Sequence, residues 1–435
     1  MGECSEDESI EWFVLDFSKA FWQIPLHHAE RRFFVARIEI DGVQKYLVFL
    51  RTAQGSRGAP LTWARFAALI MRLTQSLFRS DQVRLHCFVD DPIAAMKGTP
   101  TERSIIAATM MLVWEALGCG LSYSKGQCGE NVNWIGGELA IGKDFIKARV
   151  KAAIIKDITM TLESFKNNNV IPMKELESFA GKVNHAAGLL VSIRPFLQQL
   201  WAAIHSNPNG PAHCVWRKQI AHSLSWLEAV FYEDAPGIER CFNLYDFLGQ
   251  GEKVEIGTDA SPWGLGGWLS RNGKIVNHFH CPVTDHDLRL FKIVRGECEG
   301  QQVLECLAIL VAVRIWLPSC QERIQLRLRS DNITVLTMAI KMRPRTARMT
   351  IIARELALCF VKFSFLPSVF HTPGISHKIA DRLSRMDDPN PIYRNETSVL
   401  MHPSLKKSAL TSVPTRDDGY YRTLEHASTR AHDGD

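Results

Sequence analysis

Cys87-Phe88-Val89-Asp90-Asp91-Pro92-Ile93 sets two adjacent carboxylates in an otherwise apolar, strand-like run, and Phe13-Val14-Leu15-Asp16-Phe17 sets a third in another. An unpaired polar group in such surroundings costs roughly 2 to 7 kcal/mol, and a charge costs more, unless something pairs with it. Taken alone, Asp90-Asp91 reads as a plain hairpin turn, where Asp is common, and Asp16 as a salt-bridged strand end. Taken together, they are oxygen ligands on neighbouring strands, the arrangement that a pair of divalent cations requires. A second set, Asp259, Glu305, Asp331 and Asp381, is spread over the last third of the chain and calls for cations in the same way.

The surrounding composition is that of a soluble globular protein. The 435 residues are 46% hydrophobic and 22% charged, enough for two to four domains with real cores. A net charge of +5, with the charges interspersed, permits a polyanionic partner without requiring one. Eleven cysteines stand singly, with no CxxC pair and no zinc-ligand spacing, which suggests neither a disulfide framework nor a zinc knuckle and fits a reducing interior. The N-terminus is acidic and lacks an apolar signal core, and the longest apolar stretch, residues 306–317, is broken by Arg314. The expectation is an intracellular protein of cytoplasm or nucleus, neither secreted nor membrane-spanning.

Along the chain, residues 32–50 read as a β-ribbon turning at Asp41-Gly42. A Gly-rich turn, Gln54-Gly55-Ser56-Arg57-Gly58-Ala59-Pro60, precedes a helix over 61–77. Another hairpin centres on Asp90-Asp91, a helix covers 101–117 up to Gly118, and Trp134-Ile135-Gly136-Gly137 is a tight strand turn. Residues 148–204 are helical with breaks at Pro172 and Pro195, and Asn207-Pro208-Asn209-Gly210-Pro211 is a linker. A helical stretch over 214–231 leads through Asp234-Ala235-Pro236-Gly237 and Gly249-Gln250-Gly251 into an α/β region. There, strands are expected at 254–258, 267–270, 274–279 and 324–329, and helices at 302–317 and 349–360. Beyond Met386 the periodicity fades, which predicts a loosely ordered polar tail.

These residues carry a resemblance. Leu15-Asp16-Phe17-Ser18-Lys19-Ala20-Phe21 looks like motif A of reverse transcriptases, residues 54–60 like motif B, Phe88-Val89-Asp90-Asp91 like motif C, residues 117–125 like motif D, and Trp134-Ile135-Gly136 like the primer grip. Five elements in the family's order are far more specific than any one. The resemblance implies that Asp16 and Asp90, with Asp91 adding charge, hold two Mg2+ ions for phosphoryl transfer, with Mn2+ as a substitute. It places Phe21, five residues after Asp16, as an aromatic gate against the ribose 2′-hydroxyl. Phe17, Gln54 and Gly55 would adjoin the incoming nucleotide, since glycine lets the backbone approach it, and Lys125 the pyrophosphate. The family's basic fingers segment precedes motif A, where about a dozen acidic and polar residues stand here, so truncated fingers are expected. Pro92 follows the aspartate pair, where it removes a ladder donor.

In the last third, Glu305 alone reads as a helix-dipole acid and Asp331-Asn332 as a helix cap. With Thr258-Asp259-Ala260-Ser261, the glycines at 264, 266 and 267 read as a tight turn, and Ala380-Asp381-Arg382-Leu383-Ser384-Arg385, the set resembles ribonuclease H of retroelements, especially DIRS-like and related LTR types. The resemblance makes Asp259, Glu305, Asp331 and Asp381 ligands of two Mg2+ ions that act on RNA in an RNA/DNA hybrid. Glu297 and Glu299 compete for the helix position, and the Leu-Ala register after Glu305 favours Glu305. His377 stands where the family commonly has Asn. Arg343, Arg345, Arg348 and Arg354 could track phosphates. Residues 176–200 resemble the thumb and connection of such enzymes.

The expected fold is therefore α+β and α/β multidomain: an acidic leader (1–11), a reverse-transcriptase palm with partial fingers (12–147), a helical thumb and connection (148–249), a ribonuclease H-like α/β domain (250–386) and a polar tail (387–435). The implied partners are an RNA template, a DNA primer, RNA/DNA hybrid and deoxynucleoside triphosphates. No Asp-Ser/Thr-Gly protease motif and no zinc-binding integrase head is present, so the chain is expected to be at most part of a retrotransposon polyprotein. The rival expectation is a remnant that keeps nucleic-acid binding, or nuclease activity alone.

Overall fold

In the computed structural model, which describes residues 4–206, 212–231, 239–244, 250–320, 324–363, 367–390, 404–405 and 407–421, the apolar run before Asp16 forms strand β1, Ser9–Val14. Side chains alternate along an extended chain, so Phe13, Leu15 and Phe17 enter one core while Val14 joins another cluster with Ile93 and Val132. Asp16, two residues beyond the strand, follows the parity of Val14. The ribbon comes next, β2 (Val35–Ile40) and β3 (Val43–Val48), in antiparallel register. Asp41 (φ 53°) and Gly42 (φ 74°) both take left-handed backbone, as a two-residue turn of this hand demands.

Helix α1, Ala59–Gln75, is followed by β4 (Val83–Phe88), β5 (Asp91–Gly98) and helix α2, Pro100–Ala116. Thr99 caps α2 through a reciprocal box with Glu102. With β6, Gln127–Gly129, the strands form an antiparallel sheet in the order β4-β5-β1-β6. Trp63, Ala67 and Ile70 of α1 and Ile106, Met110 and Trp114 of α2 fill the core on the Phe13 side. Strands β7 (Asn131–Trp134) and β8 (Gly137–Ile141) pair as a hairpin whose turn residues, Ile135 and Gly136, both have positive φ, and β9, Phe145–Val150, lies beside β8. The hairpin predicted at Asp90-Asp91 is displaced by one residue: Val89 and Asp90 form the turn and Asp91 opens β5. These elements belong to the first of two units, residues 1–149; the second is 150–435.

The second unit begins with helix α3 (Ala152–Lys166), strand β10 (Val170–Pro172), and helices α4 (Met173–Leu189) and α5 (Arg194–His205), with Pro195 in the first turn of α5, where its missing N–H costs nothing. Residues 214–231 are not wholly helical: Cys214–Trp216 is strand β11, paired with β10, ahead of α6, Arg217–Phe231. The linker expected at 207–211, the turn at 234–237 and Gly249 lie outside the described residues. After β12 (Glu239–Asn243) come β13 (Glu252–Ala260), β14 (Gly264–Arg271), β15 (Lys274–Pro282), β16 (Ile324–Ser330), β17 (Ser368–His371) and β18 (Ala409–Leu410). The last six form one mixed sheet in the order β17-β16-β13-β14-β15-β18, antiparallel from β13 to β15 and parallel elsewhere. Around it pack α7 (Asp285–Phe291), α8 (Gln301–Trp316), α9 (Ile333–Lys341), α10 (Ala347–Phe363) and α11 (Lys378–Ser384). Helix α8 is apolar on every side and buried from Val303 to Val313, as a core helix must be. A single apolar cluster joins α3–α6 to this sheet and α8.

Two expectations are corrected here. Gly264, Gly266 and Gly267 are not a turn; they lie in β14, where Gly266 lets α11 approach the strand. A Cβ on Gly266 would fall 2.3 Å from Ser384 N and 2.5 Å from the Leu383 carbonyl carbon, both main-chain atoms that cannot swing aside. Gly266→Ala is expected to lower stability by roughly 1–3 kcal/mol or more, read from the denaturation midpoint of the second unit. The polar tail, moreover, is not loose throughout. Residues 407–421 contribute β18 and bury Arg416, Tyr420 and Tyr421, and Leu405 joins a small cluster with Leu383 and Met386.

Candidate active sites

In the first unit the sheet brings the motif-borne aspartates to one end. Asp16 is 9% exposed, just past β1, and the main chain beyond it is fixed by Phe17 N–H donating to Asp90 O at 2.9 Å and Ser122 N–H donating to Asp16 O at 2.9 Å. Pro92 lacks an N–H but is accommodated: its carbonyl accepts from Leu15 N–H at 3.3 Å. Burial first, then the charges of Asp90 and Asp16 and a hydrogen bond to Asp16, push the Asp91 carboxyl up to about 6. Burial, with Asp16 nearby, raises Asp90 as well. Lys125 Nζ sits 2.5 Å from Asp16 Oδ2, and the hydrogen bond to that carboxylate raises the lysine further.

The remaining palm residues divide by exposure. Phe17 is fully buried between Trp63 and Trp114, with ring centroids 5.5 and 5.4 Å away, so its side chain offers no surface to a nucleotide; only its backbone serves the site. Phe21 is half-buried against the same core, and Thr52 Oγ1 donates to its carbonyl. Gln54 and Gly55 stand exposed before α1, Gly55 at φ 90° with open space where a side chain would be. Trp134 donates its indole N–H to Asp91 O at 3.0 Å, and Ile135 at the adjoining turn is exposed.

The second unit assembles a tighter group. Asp259 is the penultimate residue of β13, Glu305 lies in the second turn of α8, and Asp331 follows β16; an oxygen from each lies within 4.8 Å of the others. Among the described residues it is the one His/Cys/Asp/Glu group at metal-ligand spacing, and Asp16, Asp90 and Asp91 do not form another. Asp259 and Glu305 are each 6% exposed, and Glu305 Oε2 is buried without a hydrogen-bond partner. Three hard oxygens, one of them orphaned, fit a hard divalent cation. Burial first, then the charges of Asp331, Glu305 and Asp381, push Asp259 up to about 7. Burial does the same to Glu305, to about 7.

Asp381 is not part of the tight group. It stands in the first turn of α11, within electrostatic reach of Asp259, and pairs with Arg385 Nε at 2.7 Å. Asn332 takes the capping role, accepting from Thr334 N–H and Val335 N–H, which leaves Asp331 to the site. Of the rival helix acids, Glu299 is exposed and lies 3.7 Å from Arg348. Arg343 and Arg345 are exposed between α9 and α10, whereas Arg354 packs over the Phe196 ring and donates to Gln199 Oε1. His377 is 3% exposed, its Nε2 2.8 Å from Thr258 O, where it ties the start of α11 to the strand bearing Asp259. Ser384, which donates to Asp259 Oδ2 at 3.2 Å, and Trp63, whose indole N–H donates to Val89 O at 2.7 Å, were given no role by the sequence. No periodicity or spacing marks an indole that reaches a distant carbonyl.

Residues 3–139 match the family of the reverse transcriptase (RNA-dependent DNA polymerase). No curated protein matches the chain. Among solved structures, the chain is similar to a foamy viral protease-reverse transcriptase in complex with RNA/DNA hybrid, at 13% identity and a TM-score of 0.44, covering 84% of this chain and 44% of that one. It is also similar to the dRH form of the foamy viral protein in complex with ds DNA (15%, 0.43, 83% and 56%) and to the foamy viral protein in complex with dsDNA (16%, 0.41, 84% and 68%). The chain thus spans about half the length of the first two.

Proposed function

We propose, from the premise that residues 3–139 belong to the reverse transcriptase family, that this chain is the polymerase and nuclease part of a retrotransposon polyprotein. In this reading an RNA-directed DNA polymerase is followed by a ribonuclease H. The observation that carries it is the meeting of Asp16, Asp90 and Asp91 at one sheet end inside the matched segment. Divalent cations, Mg2+ or Mn2+, would supply charge neutralisation and an activated oxygen nucleophile at each site.

In the first unit, Asp16 and Asp90 would hold the cations and Asp91 would add charge. Phe21 would bar the ribose 2′-hydroxyl, and Gln54-Gly55 would let a deoxynucleoside triphosphate lie against backbone. Lys125, released from Asp16, would face the pyrophosphate. Trp134-Ile135-Gly136 would support the primer end. In the second unit, Asp259, Glu305 and Asp331 would hold the cations with Asp381 beside them, and Arg343 and Arg345 would take phosphates of an RNA/DNA hybrid through salt-sensitive contacts. Arg348 would give up its contact with Glu299 to join them.

Primer extension on an RNA template and cleavage of a labelled hybrid, run side by side in Mg2+, test both halves. Asp16→Asn is expected to cut extension by about a thousandfold or more while sparing cleavage, and Asp331→Asn to do the reverse. Extension that survives Asp16→Asn would overturn the palm assignment. A second reading, nuclease activity alone, is favoured by the tighter spacing of the second acid group and by the ion pair that Lys125 makes with Asp16. Hybrid cleavage by the parent chain without any extension is its signature.

A further inference from the structure

Val89 holds a left-handed backbone, φ 56°, at the tip of the β4–β5 turn. A β-branched side chain is a genuine outlier there, and strain of this kind persists only where the surroundings over-determine it. The surroundings are specific. Val89 O accepts the Trp63 indole N–H at 2.7 Å, Asp90 O accepts Phe17 N–H at 2.9 Å, and Asp91 O accepts the Trp134 indole N–H at 3.0 Å. Three consecutive carbonyls are thus held from three separate elements: α1, the chain after β1, and β7.

Both indoles are themselves fixed. Trp63 is 0% exposed and meets Phe17 edge to face, while the His86 ring on β4 lies edge-on to Trp134 at 6.1 Å. The Cys87 thiol adds a long contact to Val89 O at 3.4 Å. The turn carries two half-buried carboxylates, Asp90 and Asp91, close enough to Asp16 to feel its charge.

We propose that Trp63 and Trp134 are positioning residues, whose indole N–H groups clamp the strained Val89-Asp90-Asp91 turn and so aim its two carboxylates at Asp16. The consequence for catalysis rests on the polymerase reading; the clamp itself does not. Phenylalanine at either position keeps an aromatic ring, smaller than the indole, and removes the N–H. Glycine at position 89 removes the strain, because glycine enters the left-handed region freely. The full chain and the variants Trp63→Phe, Trp134→Phe and Val89→Gly, with each Phe change also in the Val89→Gly background, form a double-mutant design. Trp114→Phe is the control, since Trp114 is equally buried but donates to Thr74 Oγ1 rather than to the turn.

Two readouts are taken: amide hydrogen exchange of the peptide covering residues 86–93, and kcat and KM for deoxynucleotide in primer extension. Trp63→Phe is expected to speed exchange in that peptide about tenfold and to lower kcat about tenfold with KM little changed. Trp134→Phe should act in the same direction. In the Val89→Gly background each effect should shrink to about twofold or less. Equal losses in both backgrounds, or the same exchange change in Trp114→Phe, overturn the clamp. If the parent chain extends no primer, the polymerase reading fails while the exchange data still decide for or against the clamp.

Discussion

Asp259→Asn in metal-free buffer at pH 8 is expected to raise the melting temperature of the second unit by roughly 5–10 °C, and, on the proposed nuclease reading, to abolish hybrid cleavage. The reason lies in where the charge sits. Burial, and then the charges of Asp331, Glu305 and Asp381, push Asp259 up to about 7 from an ordinary value of 3.8, and burial pushes Glu305 up to about 7 from 4.5. The native state therefore keeps protons that the unfolded chain has already released. Stability falls as the pH rises from about 4 to about 7 and levels off above that. A three-unit shift corresponds to about 4 kcal/mol, and because the two acids titrate as a pair their contributions do not simply add.

Asparagine keeps the shape and removes the charge. The gap in melting temperature between the variant and the parent should be smaller near pH 5 than at pH 8. Mg2+ favours the ionised acids, so it should raise the parent's melting temperature strongly at pH 8, weakly at pH 5, and hardly at all in Asp259→Asn. Calorimetric melting at the two pH values, with and without Mg2+, reads all of this. A pH-independent gap between variant and parent would contradict the placement of this charge.

The Asp41-Gly42 turn is legible because local chemistry sets it, and Gly136 marks the turn after Trp134 although Ile135 beside it holds φ 39° against the preference of a β-branched residue. The turn at Asp90-Asp91 reads one residue late because an Asp suits left-handed backbone and a Val does not. Here distant indoles override that preference. Phe17, expected beside the nucleotide, is sent by strand alternation to the opposite face from Asp16, into the core. Glu305 is favoured by the register that follows it, and the fold sets it within 4.8 Å of Asp259 and Asp331. What sequence did not show was contacts made by single side chains across long loops, such as those of Arg416 and Tyr421 with Asp287.

Arg416→Ala is expected to destabilise the second unit by about 3–5 kcal/mol, from a position in the stretch that reads as a tail. Asp287 is wholly buried, and its carboxylate accepts from Arg416 Nε and Nη2 and from the Tyr421 hydroxyl at 2.5 Å, as well as from Thr284 N–H in the cap of α7. Arg416 is 2% exposed at its side chain and donates also to Pro282 O at 2.6 Å. The two charges cannot reach water, so removing one strands the other. A second fastening lies close by in sequence: Arg314 is ion-paired with Glu355, donates to Tyr420 O and stacks over the Tyr420 ring. The segment after β18 therefore closes the core by charge pairing rather than by an apolar stripe, which is why no periodicity announces it. Because most of the cost comes from the stranded partner, the double variant Arg416→Met/Asp287→Leu should recover a large part of the loss of either single change. Urea melts of the parent, the two singles and the double give the coupling directly. Purely additive losses would show that the buried pair does not hold this segment in place.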